Sequence, residues 1–71
     1  MYKIGVRAYI EIRNRAKEKG IKTQKELESM GIGSTAFYAW KKEGTAPSGY
    51  FLRQMALNGY DVIYILTGEK Q

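Results

Sequence analysis

The chain has 71 residues, a formal net charge of +5, 44% hydrophobic residues and nine aromatics (Trp 1, Tyr 6, Phe 2), which suits one domain with one small core. It contains neither cysteine nor histidine, so disulfides, thiol nucleophiles, most zinc sites and the usual general base are excluded. It shows no signal-peptide pattern, and no apolar run reaches the ~18 residues that a membrane span needs, so a cytoplasmic protein is expected.

Two periodicities compete at the N-terminus. Every even position from Tyr2 to Ile12 is apolar (Tyr2, Ile4, Val6, Ala8, Ile10, Ile12), which is a strand signal. The same stretch carries a helical stripe through Gly5, Ala8, Tyr9, Ile12 and Ala16, and RNRAKEKG continues it toward a stop at Gly20. The favoured reading is a helix over about residues 6–19 with residues 1–5 extended, and an N-terminal strand is the alternative.

A second helix is predicted over residues 24–30, with Thr23 and Glu26 as a capping box, Leu27 and Met30 facing inward and Ile21 packing at its entrance. Gly31 ends it. A third helix opens at Gly33 or Ser34 and runs to Lys42, with Phe37 and Trp40, joined by Ala36, as its buried stripe. GTAPSG is a loop in which Pro47 stops helical propagation and Ser48 can cap the next element. The fourth helix spans residues 49–57 with Phe51, Leu52, Met55 and Ala56 apolar, and Asn58-Gly59 is a turn. Asp61 caps a last segment, VIYILTG, whose β-branched residues suit a helix or a short strand, and Gly68 ends it. The fold expected is all-α, a single five-helix domain over residues 1–71.

The second and third helices, joined by a glycine-bearing turn, match how a helix-turn-helix presents side chains to the DNA major groove. Charge distribution agrees. Residues 1–42 hold ten of the twelve Lys/Arg and four of the seven acids, a net +6, whereas residues 43–71 carry −1. A basic half beside a near-neutral apolar half suits a phosphate-facing surface with a separate packing surface, and equally a solvated basic face.

Three pieces of the chain, in order, resemble the Cro and phage-repressor family of helix-turn-helix regulators. Gln24-Lys25-Glu26-Leu27 followed by Gly31-Ile32 is similar to that family's Q-x-x-L-A…G-V. Phe37-Tyr38-Ala39-Trp40, Gly44 and Pro47-Ser48 are similar to its I-S-x-W-E-x-G…P-S. The run from Asp61 to Glu69 resembles its D-L-x-W-L-L-T-G-E ending. The spacing departs by one residue in three places: between Leu27 and Gly31, between Trp40 and Gly44, and before Gly59. The resemblance implies a compact lambda-repressor-like domain that binds operator DNA as a homodimer and regulates transcription, either a whole Cro-like protein or an excised DNA-binding domain.

Ser34, Thr35 and Tyr38 point outward if Phe37 and Trp40 point inward, and the resemblance places these three at base edges. Gln24, at the start of the second helix, is positioned to bind a phosphate through its amide and the free backbone N–H groups, the role the family gives it. Lys22, Lys25, Lys41 and Lys42 are phosphate candidates, and Thr45 and Ser48 reach the backbone from the following loop. Trp40, three residues after Phe37, reads as core rather than as a stacking residue. The apolar surplus at Val62, Ile63, Tyr64 and Leu66 suits a dimer interface, unless Tyr2 and Ile4 cover it within one chain.

The function expected is sequence-specific binding of double-stranded DNA at a palindromic operator, as a repressor or Cro-like regulator. An antitoxin-like protein-interaction module on the same fold is the alternative. No carboxylate pair and no phosphate-cradling glycine loop is present, so no enzyme, cofactor, metal or small-molecule substrate is expected.

Overall fold

A computed structural model of the chain describes residues 2–70. Its five helices are α1 (Ile4–Lys19), α2 (Thr23–Met30), α3 (Ser34–Glu43), α4 (Gly49–Leu57) and α5 (Val62–Thr67), joined by connections of three to five residues. The described residues contain no strand. None of their helices is long and apolar enough to cross a membrane.

The helical stripe wins over the alternating one in α1. Gly5, Ala8, Tyr9, Ile12 and Ala16 are all buried, whereas the even-numbered Val6 and Ile10 are half-buried. This face packs against α2, α3 and α5, so a helix buries its stripe on three partners at once. The helix begins at Ile4, earlier than the sequence suggests, because the Lys3 carbonyl accepts the Arg7 N–H at 3.0 Å. Ile4 and Gly5 are therefore helical, and Met1 lies outside the described residues. Gly5 permits a close approach: a Cβ there would sit 2.2 Å from the Thr45 carbonyl oxygen, and its own N–H donates to Gly44 O at 3.2 Å. The start of α1 thus rests directly on the loop that follows α3.

The capping box does not form. The N-cap of α2 is Lys22, Thr23 is already helical, and no side chain caps the end. Glu26 is 1% exposed and is drawn into the interior by Lys19 and Tyr60, so its carboxylate cannot reach back to the helix start. Gly31 closes α2 with φ of 68°, a left-handed conformation that glycine adopts without strain. The following Ile32 donates to Leu27 O at 3.0 Å and is buried, whereas Ile21 at the other end is exposed. The hydrophobic plug of this region is therefore Ile32.

Phe37 and Trp40 fill the centre between α1, α3 and α4. Trp40 meets Phe37 and Phe51 edge-on, with ring centroids 6.3 and 5.6 Å apart. Around them lie Ile12, Leu27, Met30, Met55 and Ile65. The expected bounds of α4 hold, with Met55 buried, Phe51 and Leu52 half-buried and Ala56 exposed. Ser48 sits at the N-cap of α4 without a side-chain bond, whereas Asp61 caps α5 by accepting the Tyr64 N–H at 2.9 Å.

Two arginines of the basic half are spent on structure. Arg7 is 7% exposed and donates to Ile65 O (2.8 Å) and Leu66 O (3.1 Å), carbonyls at the end of α5 that no helical N–H reaches, and to Tyr2 O (2.5 Å) ahead of α1. Arg15 donates to Asn58 O (3.0 Å) and Gly59 O (3.2 Å), with its guanidinium 4.2 Å from the centre of the Tyr60 ring. Both pin the C-terminal helices to α1. The charge left for a ligand is carried by lysines and by Arg13.

Candidate nucleic-acid interface

Helix α3 separates its residues by side. Phe37 and Trp40 are 1% and 4% exposed, whereas Ser34, Thr35 and Tyr38 are exposed, as the i+1 and i+4 spacing requires. Lys41 and Lys42 follow on the exposed side, and between Glu28 and Glu43 the chain carries no acid. The helix therefore offers two hydroxyls, a phenol and two ammonium groups. Hydroxyls donate to and accept from base edges, and a Thr methyl packs on a thymine methyl.

The Tyr38 side chain is braced. Its ring meets Phe37 edge-on at 5.3 Å and lies 6.4 Å from Tyr9 of α1. Tyr9 in turn stacks at a tilt on Phe37, 4.6 Å between centroids. Two cations close on Tyr9: Lys41 Nζ stands 5.4 Å from the ring centre, and Arg13 donates to the phenol oxygen at 3.3 Å. Each cation faces a ring that attracts it through its quadrupole. An aromatic chain thus runs from the core to the exposed Tyr38, whose ring meets both Phe37 and Tyr9.

At the start of α2, Lys22, Gln24 and Lys25 are exposed and Thr23 is half-buried. The backbone N–H groups of this first turn lack helical partners apart from those of Lys25 and Glu26, which donate to Lys22 O. Thr45 and Ser48 are exposed on either side of the buried Pro47. Gly5 packs under Thr45, so this loop is held against α1.

Every residue expected at the interface is thus exposed: Ser34, Thr35, Tyr38, Gln24, Lys22, Lys25, Lys41, Lys42, Thr45 and Ser48. In sequence Tyr9 reads as one more residue of the buried stripe, which it is, and Arg13 as one more basic residue of α1. Only the meeting of α1 with α3 gives them a place beside Tyr38, and no short-range spacing carries that signal. Lys19 leaves the pool of free cations because it pairs with Glu26 at 2.8 Å.

The C-terminal set divides. Ile63 and Leu66 are 49% and 43% exposed, Val62 and Tyr64 are half-buried, and Ile65 is fully buried. Tyr64 is covered on one side by Lys70, whose Nζ lies 4.5 Å from the ring centre. Tyr2 is itself 62% exposed and leaves Ile63 and Leu66 open. Comparison with protein-family models, curated proteins and solved structures finds no match for this chain.

Proposed function

We propose that the chain is a DNA-binding transcriptional regulator that lays α3 in the major groove of an operator, acting in the cytoplasm as a homodimer on a palindromic site. The observation that carries this reading is α3 itself. One side is the centre of the core, and the other is an acid-free row of hydroxyls, a braced tyrosine and lysines. A rigid helix with that outer side supplies base-edge donors and acceptors at Ser34, Thr35 and Tyr38 and phosphate ligands at Lys41 and Lys42. The turn at Gly31–Gly33 sets α2 in front of it, with Gln24, Lys22 and Lys25 at an end suited to a phosphate. The resemblance to Cro and phage repressors agrees with each of these roles. No catalytic step, cofactor or metal enters.

Dimerisation follows from how little one helix can read. Such domains bind paired half-sites about 34 Å apart, one turn of the double helix. The open apolar side chains of Ile63 and Leu66, flanked by Val62 and Tyr64, offer a self-complementary contact to set that spacing.

Selection from random duplexes, followed by sedimentation on the enriched sequence at several salt concentrations, tests both parts. A palindrome should emerge and carry two chains, with affinity falling steeply and linearly on a log–log scale against salt. Replacing Ile63 with lysine should leave binding of one chain to an isolated half-site nearly unchanged and remove the cooperative gain on the palindrome. Enrichment of no sequence would contradict the functional reading, and one chain on a palindrome would remove the dimer alone.

A further inference from the structure

An open groove of about 700 Å³ runs along α1 to the start of α2, and of its lining residues only Lys22 is given a DNA contact above. Ile10 and Ile21 contribute apolar surface, Arg13, Lys17 and Lys22 contribute charge, and Asn14 adds an amide. No carboxylate lines it. Its two ends touch the interface already described. At one end Tyr9 carries Arg13 and stands beside Tyr38, and at the other Lys22 and Thr23 open α2.

We propose that this groove seats a strand of the DNA sugar–phosphate backbone, with Arg13 and Lys17 each neutralising a phosphate. The inference rests on the DNA-binding reading and extends its footprint from the helix-turn-helix onto α1. Three features select this occupant. The charged side chains that line it, Arg13, Lys17 and Lys22, are all cations, so it complements a polyanion. Arg13 and Lys17 are four residues apart on one helix face, about 6 Å along its axis, so they can follow successive phosphates of one strand. Ile10 and Ile21 flank those cations and offer apolar surface on which deoxyribose rings can lie. Arg13 is also oriented in advance, because its bond to the Tyr9 hydroxyl holds the guanidinium at the end nearest Tyr38.

The test compares the parent with the double variant Arg13→Ala/Lys17→Ala on a random-sequence duplex and on the selected site, across a salt series. Each phosphate contact contributes about 0.9 to the log–log slope, so the variant's slope should be shallower by about 1.8 for each chain bound. The ratio of affinities for the two duplexes should stay the same. The charge-matched variant Arg53→Ala/Lys70→Ala, which removes two cations from α4 and the C-terminal segment, should keep the parent slope. Both groove side chains are exposed, so the melting temperature should hold. Should alanine lower it, Arg13→Gln/Lys17→Gln keeps most of the aliphatic stems and repeats the comparison. A parent with a steep slope and a double variant with the same slope would overturn the groove and leave the DNA reading standing. An unchanged slope together with lost affinity for polyglutamate would assign the groove to an acidic polypeptide instead. A parent with no salt-dependent duplex binding would overturn both.

Discussion

Replacing Trp40 with alanine should destabilise the fold by about 3–5 kcal/mol, read from urea unfolding. The indole is 4% exposed and is held edge-on between Phe37 of α3 and Phe51 of α4, so its removal opens a cavity where three helices meet. Phe37 cannot move to fill that space, because it is already stacked on Tyr9. At ~0.05–0.15 kcal/mol per residue a domain of this size has roughly 4–10 kcal/mol in total, so the variant should lose a large fraction of its stability. A milder Trp40→Phe should retain the fold with a lowered midpoint. A Trp40→Ala protein that unfolds like the parent but has lost its ligand would instead make Trp40 a contact residue.

The second large effect centres on Glu26. Its carboxylate accepts hydrogen bonds from Lys19 Nζ at 2.8 Å and from the Tyr60 hydroxyl at 2.5 Å, and it is the most deeply buried charged group among the described residues. Glu26→Ala should cost about 2–3 kcal/mol, the penalty of a buried phenol left without its acceptor together with a small cavity. The loss falls short of that for a fully buried ion pair, because the Lys19 side chain is 46% exposed and returns to water when its partner goes.

The same network makes stability depend on pH at both ends. Burial raises the Glu26 carboxyl pKa, but the hydrogen bonds from Lys19 and Tyr60 and the charges of Lys19 and Arg15 outweigh it and hold the group below its ordinary 4.5. A lowered folded-state pKa contributes stability above the unfolded value, and this stability is lost as pH falls through the lower folded one. Burial, followed by the bond to Glu26 and its charge, pushes the Tyr60 phenol far above its ordinary 10.0, against the opposing charge of Arg15. A raised pKa works the other way, so that contribution is complete below pH 10.0 and declines as pH rises above it. The urea midpoint should therefore be flat between these limits and fall on either side. Glu26→Gln should reduce the acid slope, and Tyr60→Phe should reduce the alkaline one. Identical slopes in parent and variants would show that other groups govern both limbs.

Local chemistry announced the helices well wherever a stop or a stripe was written in adjacent residues. Gly20, Gly31, Gly44 and Gly68 all end helices in the left-handed conformation, Asp61 caps α5, and Phe37 and Trp40 are the buried pair of α3. What local spacing concealed was tertiary competition for polar groups. Thr23 and Glu26 have the spacing of a capping box, but a buried tyrosine 34 residues away offers Glu26 a partner in a region water cannot reach. Arg7 and Arg15 read as surface charge, yet each meets carbonyls more than forty residues distant. Ile21 and Ile32 are equally apolar in sequence, and only the arrangement of the turns decides which one is buried. For the candidate site, the exposed side of α3 followed from its buried side. The bracing of Tyr38 by Tyr9 did not, because it arises where two helices distant in sequence cross.

The central claim, that α3 reads base edges while its flanking lysines hold phosphates, meets its most direct test in one titration series. Parent, Tyr38→Ala and Lys41→Ala are each titrated with the selected duplex and with random duplex. Tyr38→Ala should lose about 1–3 kcal/mol on the selected site and little on random DNA. Lys41→Ala should weaken both duplexes alike and make the salt slope shallower by about one. If Tyr38→Ala instead weakens both duplexes equally, or changes neither, α3 does not read the sequence and the account is wrong.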